Sequence, residues 1–128
     1  MKNSDVYTVT ENKNIAKNVF RMTLAGDTGR ISAAGQFVNI KIDGLFLRRP
    51  VSVCDYNERE IVIVYKVVGK GTEKMSKMPA GTTLDLLTGL GNGYDTSVSG
   101  DSPLLIGGGV GVPPLYHLCR ELIAQKKN

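Results

Sequence analysis

Residues Leu104 to Leu118 read LLIGGGVGVPPLYHL, and this stretch divides the chain. A short apolar run, a glycine cluster and an amphipathic segment are the opening strand, turn and helix of a dinucleotide-binding fold. Glycines there let the backbone turn tightly and approach a pyrophosphate at a helix N-terminus. Gly107, Gly108, Gly109, Gly111 and Pro114 are therefore candidate nucleotide-binding residues of a partial motif. A complete fold of this kind needs several more βα units and, about 20 residues on, an acidic side chain for the ribose. Ten residues follow Leu118. The expectation is one finished domain over residues 1–99, then the first βα unit of a truncated nucleotide-binding domain over residues 100–128.

Upstream of this stretch the periodicity is that of strands. Val6, Thr8 and Thr10 alternate with polar neighbours, and Phe20, Met22 and Leu24 alternate with Val19, Arg21 and Thr23. Both segments read as half-buried strands joined by a turn at the NKN near Asn12. Phe37 to Ile42, Val51 to Cys54, Glu60 to Val68 and Leu84 to Leu87 supply four more. Asp43-Gly44, Tyr56-Asn57 and Pro79-Ala80-Gly81 punctuate them. Six strands with short turns and one small helix, Thr72 to Met78, predict a mainly β domain, a six-stranded antiparallel Greek-key barrel. Thr96 to Ser102 reads as a linker. Beyond it Leu115, Leu118, Cys119, Leu122 and Ile123 repeat at helical spacing.

Composition narrows the functional classes. A chain of 128 residues with 41% hydrophobic and 22% charged residues suits a soluble domain with a real core. The net charge of +4 comes from scattered lysines with few aromatics, which argues against nucleic-acid binding. A basic surface receiving an anionic cofactor or an acidic partner fits better. No stretch is long enough to span a bilayer, and the polar N-terminus MKNSDVYTVT is no signal peptide. The expected setting is cytoplasmic. Cys54 and Cys119 make no CxxC pair and fall short of the four ligands of an iron–sulfur cluster. They read as two small buried thiols.

The stretch richest in chemistry is Leu47-Arg48-Arg49-Pro50-Val51-Ser52-Val53. Two arginines entering a strand, with a hydroxyl three residues after the second, can serve one extended ligand. Arg49 can pair bidentately with a phosphate, and Ser52 lies far enough along to meet another part of the molecule. Val64-Tyr65-Lys66-Val67-Val68 leads into Gly69-Lys70-Gly71-Thr72 and the short helix EKMSKM. Gly71 and Thr72 fall at that helix's N-terminus, where free N–H groups favour an anion. Thr72 as a plain N-cap is the competing reading. His117 reads as a partly exposed helix residue, not a base. Asp85 and Asp95 have no partner carboxylate and receive no acid–base role. No residue reads as catalytic and none as a metal ligand.

Taken in order, Gly35-Gln36-Phe37-Val38, Arg49-Pro50-Val51-Ser52, Gly69-Lys70-Gly71-Thr72, Gly91-Asn92-Gly93-Tyr94 and Gly107-Gly108-Gly109-Val110-Gly111-Val112-Pro113-Pro114 resemble the flavin-binding barrel of the ferredoxin–NADP reductase superfamily. Within it, RRPVSV, GKGT and GGGVGVPPLYHL look most like the electron-transfer subunits of dihydroorotate dehydrogenase B. The resemblance implies FAD on the barrel. Arg49 and Thr72 would hold its pyrophosphate, with Gly71 giving backbone access. Ser52 and the backbone around Val51 would address the isoalloxazine ring, Val64, Tyr65 and Lys66 would line the ribityl chain and flavin face, and Pro50 belongs to the same cofactor-binding set. It also implies an FMN-containing dihydroorotate dehydrogenase subunit as partner. A 2Fe–2S centre and NAD complete the electron path of pyrimidine biosynthesis in the full-length protein.

Two other readings stay open. One is a subunit of a ferredoxin- or sulfide-linked NAD(P)H oxidoreductase; the other is a cofactor-free interaction barrel. With a nucleotide-binding domain only begun, the 128-residue chain is not expected to react usefully with NAD. Residues 102–125 would pack back on the barrel or pair with their equivalent in a second chain.

Overall fold

The computed structural model describes residues 4–127. Six strands close into a barrel: β1 (Ser4–Ala16), β2 (Val19–Ala25), β3 (Phe37–Lys41), β4 (Arg49–Tyr56), β5 (Glu60–Lys66) and β6 (Thr83–Leu90). Their order around the wall is β1-β2-β5-β4-β3-β6, and every pairing is antiparallel. Helix α1 (Lys70–Ser76) joins β5 to β6, and α2 (Pro113–Ala124) follows the barrel. Among the described residues no helix is long and apolar enough to cross a membrane.

In β2, β3 and β5 the alternation seen in the sequence decides which side each residue takes, but in β1 the faces are inverted: Tyr7 and Val9 go into the core, while Val6 and Thr10 are exposed and Thr8 is half-buried. In β5, Ile61, Ile63 and Tyr65 are buried while Val62 and Val64 are half-buried on the other face. Tyr7, Met22, Leu24, Val38, Ile40, Ile61, Ile63 and Leu86 fill the interior with essentially no exposure. Each such side chain contributes roughly 1.5–3 kcal/mol through burial. Six strands enclose no more than their own side chains, so anything this barrel binds must lie on its outer wall.

The structure also corrects local expectations. The turn foreseen at the NKN is not there: β1 runs on to Ala16, with Asn12 opposite Met22 and Asn14 opposite Phe20. The chain reverses instead at Lys17 and Asn18, where Asn18 takes a left-handed φ of 58°. Irregularities between Val9 and Glu11 and between Asn14 and Ala16 absorb the mismatch. Pairing with β2 thus overrides the poor strand propensity of asparagine. The small helix begins at Lys70, earlier than Thr72.

Leu104 to Ile106 form no strand, and Leu104 and Ile106 are each 82% exposed. A strand needs a ladder partner, and none of the described strands pairs with this run. The helix of the unit does fold, and it packs back on the barrel against β4. Leu118 and Leu122 are buried with Ala34, and Leu105 and Leu115 pack beside them. The apolar stripe is narrower than its spacing suggested, because Cys119 and Ile123 face solvent. The pair of buried thiols is therefore corrected: Cys119 is exposed and Cys54 is half-buried.

Candidate functional site

Strands β4 and β5 are neighbours in the wall, with Val53 opposite Ile63. From β4, Pro50, Val51 and Ser52, and from β5, Val64, Tyr65 and Lys66, line one cavity of about 310 Å³. Val68 and Thr72 border it where the chain enters α1, and Val110 and Pro113 border it from the glycine segment and α2. A second cavity of about 520 Å³ lies alongside, lined by Lys17, Val19, Gly108 and Gly109. It shares Val64, Lys66, Val110 and Pro113 with the first, so the two make one groove. The lining is largely apolar with a few polar groups, the usual make-up of a small-molecule site.

Seven of the nine residues expected to hold a cofactor thus meet at one cavity. The other two, Arg49 and Gly71, meet each other. A Cβ added at Gly71 would fall 2.3 Å from Arg49 Nε, so only glycine lets the arginine lie across α1 there. Of the nucleotide motif, Gly108 and Gly109 reach the second cavity. Gly107 instead lies against Leu115 of α2, Gly111 is exposed and Pro114 is half-buried, none of the three lining the groove. Pro113, not Pro114, is the proline that does.

The two adjacent arginines have different employment. Arg48 Nη2 is 2.8 Å from Asp85 Oδ1, and its Nη1 donates to the carbonyls of Asn39 and Asp85 at 3.3 Å each. Arg49 has one hydrogen bond, Nη1 donating to the Leu47 carbonyl at 2.6 Å, and pairs with no carboxylate among the described residues. Of the two arginines, Arg49 is thus the one whose charge is not taken up by a carboxylate of the described residues. Thr72 is not the N-cap, which is Gly69. Its Oγ1 accepts from the backbone N–H groups of Val68 and Gly69 at 2.9 and 3.2 Å, closing the turn into the helix. Tyr65 is on the groove wall by its place in β5, yet its ring belongs to the core at 3% exposure. That ring stacks on Phe20 at 5.8 Å, and its hydroxyl donates to Asn12 Oδ1 at 2.9 Å. Burial pushes the phenol up to about 12 against the opposing pull of the Asn12 bond.

Sequence reasoning missed the contact that seats α2 beside the groove. His117 Nδ1 lies 2.7 Å from Asp55 Oδ1, and Arg120 Nη1 donates to Asp55 Oδ2 at 2.5 Å. The imidazole also stacks on Tyr56, ring centres 4.3 Å apart. Burial, with Glu121 and Asp55 nearby, raises the Tyr56 phenol above its ordinary value. The available signal was a His and an Arg three residues apart on a helix, with an aspartate ending a strand far upstream. Asp85 and Asp95, given no chemical role, are occupied by Arg48 and by the Ser97 N–H and hydroxyl.

No protein-family model matches the chain. Among curated proteins it is 44% identical over 123 residues to the dihydroorotate dehydrogenase B (NAD(+)) electron transfer subunit of Bacillus pumilus, covering 90% of this chain and 48% of that protein. The subunit of the same name from Streptococcus thermophilus is 43% identical over 124 residues, with 92% and 48% covered. The chain spans about half the length of the curated relatives it matches. Among solved structures, an NADH-dependent reduced ferredoxin-NADP oxidoreductase superposes with a TM-score of 0.84 at 30% identity, covering 97% of this chain and 46% of that one. Phthalate dioxygenase reductase shares the fold, with a TM-score of 0.83 at 19% identity and coverage of 98% and 41%. The barrel is thus of the ferredoxin–NADP reductase type.

Proposed function

We propose that this chain, homologous to the electron-transfer subunits of dihydroorotate dehydrogenase B over about half their length, is the flavin-binding half of such a subunit and holds FAD in the β4–β5 groove. The observation that carries the reading is convergence. Pro50–Ser52, Val64–Lys66 and Thr72 come from three separate segments of the chain, yet all border one largely apolar cavity on the outer wall. A second observation supports the fit: Gly71 leaves space that a Cβ would fill, and Arg49 lies across it with a charge that no carboxylate among the described residues pairs.

In this reading Arg49 pairs with the pyrophosphate, with the backbone at Gly71 and Thr72 close beside it. Pro50, Val51 and Val64 give the ring an apolar wall that keeps water off it, and the Ser52 hydroxyl supplies a hydrogen bond at its edge. Lys66 adds positive charge beside the groove. FAD, when bound, supplies the hydride and single-electron chemistry, so these residues need only bind, orient and tune it. We assign residues 1–99 to this flavin domain and residues 100–128 to the start of a nucleotide-binding domain. In the full-length protein that domain would take NAD, a 2Fe–2S centre would complete the path, and the partner would be an FMN-containing, dihydroorotate-oxidising subunit of cytoplasmic pyrimidine synthesis. The higher identity to the dihydroorotate dehydrogenase subunits than to the ferredoxin-linked enzyme favours that partner.

The decisive experiment is a visible spectrum of the purified chain with flavin extraction. Stoichiometric FAD supports the reading, and a colourless protein that takes up no added FAD overturns it. By itself the 128-residue chain offers NAD only a glycine segment, so stoichiometric NADH should not bleach its flavin rapidly in a stopped-flow trace. Exposed Leu104 and Ile106 leave self-pairing through residues 102–125 as part of the proposal. Light scattering of the chain and of a Leu104→Ser/Ile106→Ser variant tests it, and two identical monomers would dismiss it.

A further inference from the structure

An asparagine in mid-strand needs a reason, because its strand propensity is poor and β1 could continue more cheaply with a β-branched residue. Asn12 has one. Its Nδ2 donates to the carbonyl of Met75 at 2.7 Å and to that of Met78 at 3.1 Å, at the C-terminal end of α1. Its Oδ1 accepts from the Tyr65 hydroxyl at 2.9 Å. Both amide hydrogens and the amide oxygen are used, and the three partners belong to two different walls of the groove. Tyr65 lies between Val64 and Lys66 on β5, and α1 carries Gly71 and Thr72.

From these contacts we infer that Asn12 is a positioning residue of the cofactor site, a clamp that fixes α1 against β5 and so sets where Gly71, Thr72 and Arg49 stand. The inference rests on the flavin reading above. Helix α1 has seven residues and is too short to hold itself. Its anchors are the fully buried Met75, the Asn12 amide and a Lys74 Nζ bond to the Asp43 carbonyl at 3.1 Å. The Met75 carbonyl in the last turn also accepts from the Met78 N–H at 3.1 Å, and Met78 lies two residues past the helix end, so the Asn12 amide ties down both the last turn and the segment that leaves it. Asn12 itself lies outside both cavity linings and meets the groove only through the hydroxyl of Tyr65. Its effect on a ligand must pass through α1 and β5.

The test is flavin affinity measured on the 128-residue chain stripped of flavin, titrated in parallel with FAD and with lumiflavin, which has the ring but neither ribityl chain nor phosphates. Asn12→Asp keeps the acceptor for Tyr65 and the size of the side chain, but turns an oxygen toward the α1 carbonyls. It is expected to raise the Kd for FAD about tenfold, the cost of two hydrogen bonds, and that for lumiflavin less than twofold. Asn12→Leu should do the same. Tyr65→Phe, which leaves the α1 bonds in place, should raise the FAD Kd no more than about threefold. Leu84→Ala is the control: it loosens the core from β6 and should lower the melting temperature while leaving the FAD Kd within twofold. If wild type binds FAD and both Asn12 variants bind it equally well, or if both lose FAD and lumiflavin in the same proportion, the clamp is refuted and the flavin reading stands. If wild type binds neither flavin, the flavin reading falls and the clamp with it.

Discussion

Arg49→Ala tests the site more sharply than any other change, because its neighbour is a built-in control. Arg49 gives the folded chain one hydrogen bond, to the Leu47 carbonyl. Losing it costs about 0.5–1 kcal/mol of stability. The phosphate pair it would make with FAD is charge-assisted and contributes about 1.5–3 kcal/mol, so Arg49→Ala should weaken FAD about tenfold to a hundredfold. Arg48 is the reverse case. Its ion pair with Asp85 is partly exposed, 26% and 37% for the two side chains, so the pair alone contributes under about 1 kcal/mol. The two carbonyl bonds at 3.3 Å bring Arg48→Ala to about 1–2 kcal/mol of lost stability. That lowers the melting temperature by several degrees while FAD affinity stays near wild type. Both quantities are read from the same flavin-free samples, by circular dichroism on heating and by quenching of flavin fluorescence on titration. Equal losses of affinity in the two variants, or wild-type affinity in Arg49→Ala, would show that Arg49 does not hold the pyrophosphate.

Three further outcomes follow from the geometry. Gly71→Ala adds a Cβ where Arg49 Nε, Cγ and Cδ lie within 3.0 Å, all of them movable side-chain atoms. Alanine also suits a helix better by about 0.5–1 kcal/mol. The variant should melt no lower than wild type yet bind FAD severalfold more weakly; unchanged affinity would count against Arg49 at Gly71 as the phosphate end of the groove. The Tyr65 phenol, raised from 10.0 to about 12 by burial, is held protonated by the folded state. The stability it contributes is therefore fully present below pH 10 and lost as pH climbs toward about 12, roughly 1–3 kcal/mol in all. Urea unfolding between about pH 9 and about pH 11.5 should show a shallower decline in Tyr65→Phe, with a residual slope from Tyr7 and Tyr56, which are also raised. Asp55→Asn removes the carboxylate shared by His117 and Arg120, costing about 1–2 kcal/mol. Limited proteolysis should then cut first near α2, and a digestion pattern like wild type would mean that Leu118 and Leu122 seat the helix unaided.

The barrel was legible because its signal is the period-two alternation of large apolar residues. That alternation survives in β2, β3 and β5, where it separates Met22, Val38 and Ile63 from their outward neighbours. The groove was legible for another reason: local motifs name its residues without needing the strand order. What escaped were pairings between distant side chains that have no local signature. Nothing around Asn12 announces a helix end 63 residues away, and the NKN there looks like a turn until β2 is seen beside it. Asp55 and His117 are 62 residues apart and each is ordinary alone. The failure at Leu104 to Ile106 is of a different sort. Its apolar run is a strand in propensity, but a ladder is a property of two chains of backbone, and the described residues supply only one.

These missed contacts share a position in the fold. The interior is closed to ligands by Tyr7, Met22, Leu24 and their neighbours, so in the proposed reading the outer faces of β4 and β5 do the binding while the same two strands also seal the core. A strand surface alone is open on its sides. Here α1 closes one side, where Val68 and Thr72 border the groove, and the glycine segment with α2 closes another, at Val110 and Pro113. Neither helix is continuous with the wall, and the wall strands reach each through a polar side chain: Asn12 of β1 for α1, Asp55 of β4 for α2. Loosening Asn12 should therefore disturb the phosphate end, where Arg49 and Gly71 meet, and loosening Asp55 the end at Pro113. The two losses should be additive in FAD affinity, since the ties share no partner. An Asn12→Asp/Asp55→Asn double variant whose Kd departs by more than about threefold from the product of the single effects would mean that the two walls move as one.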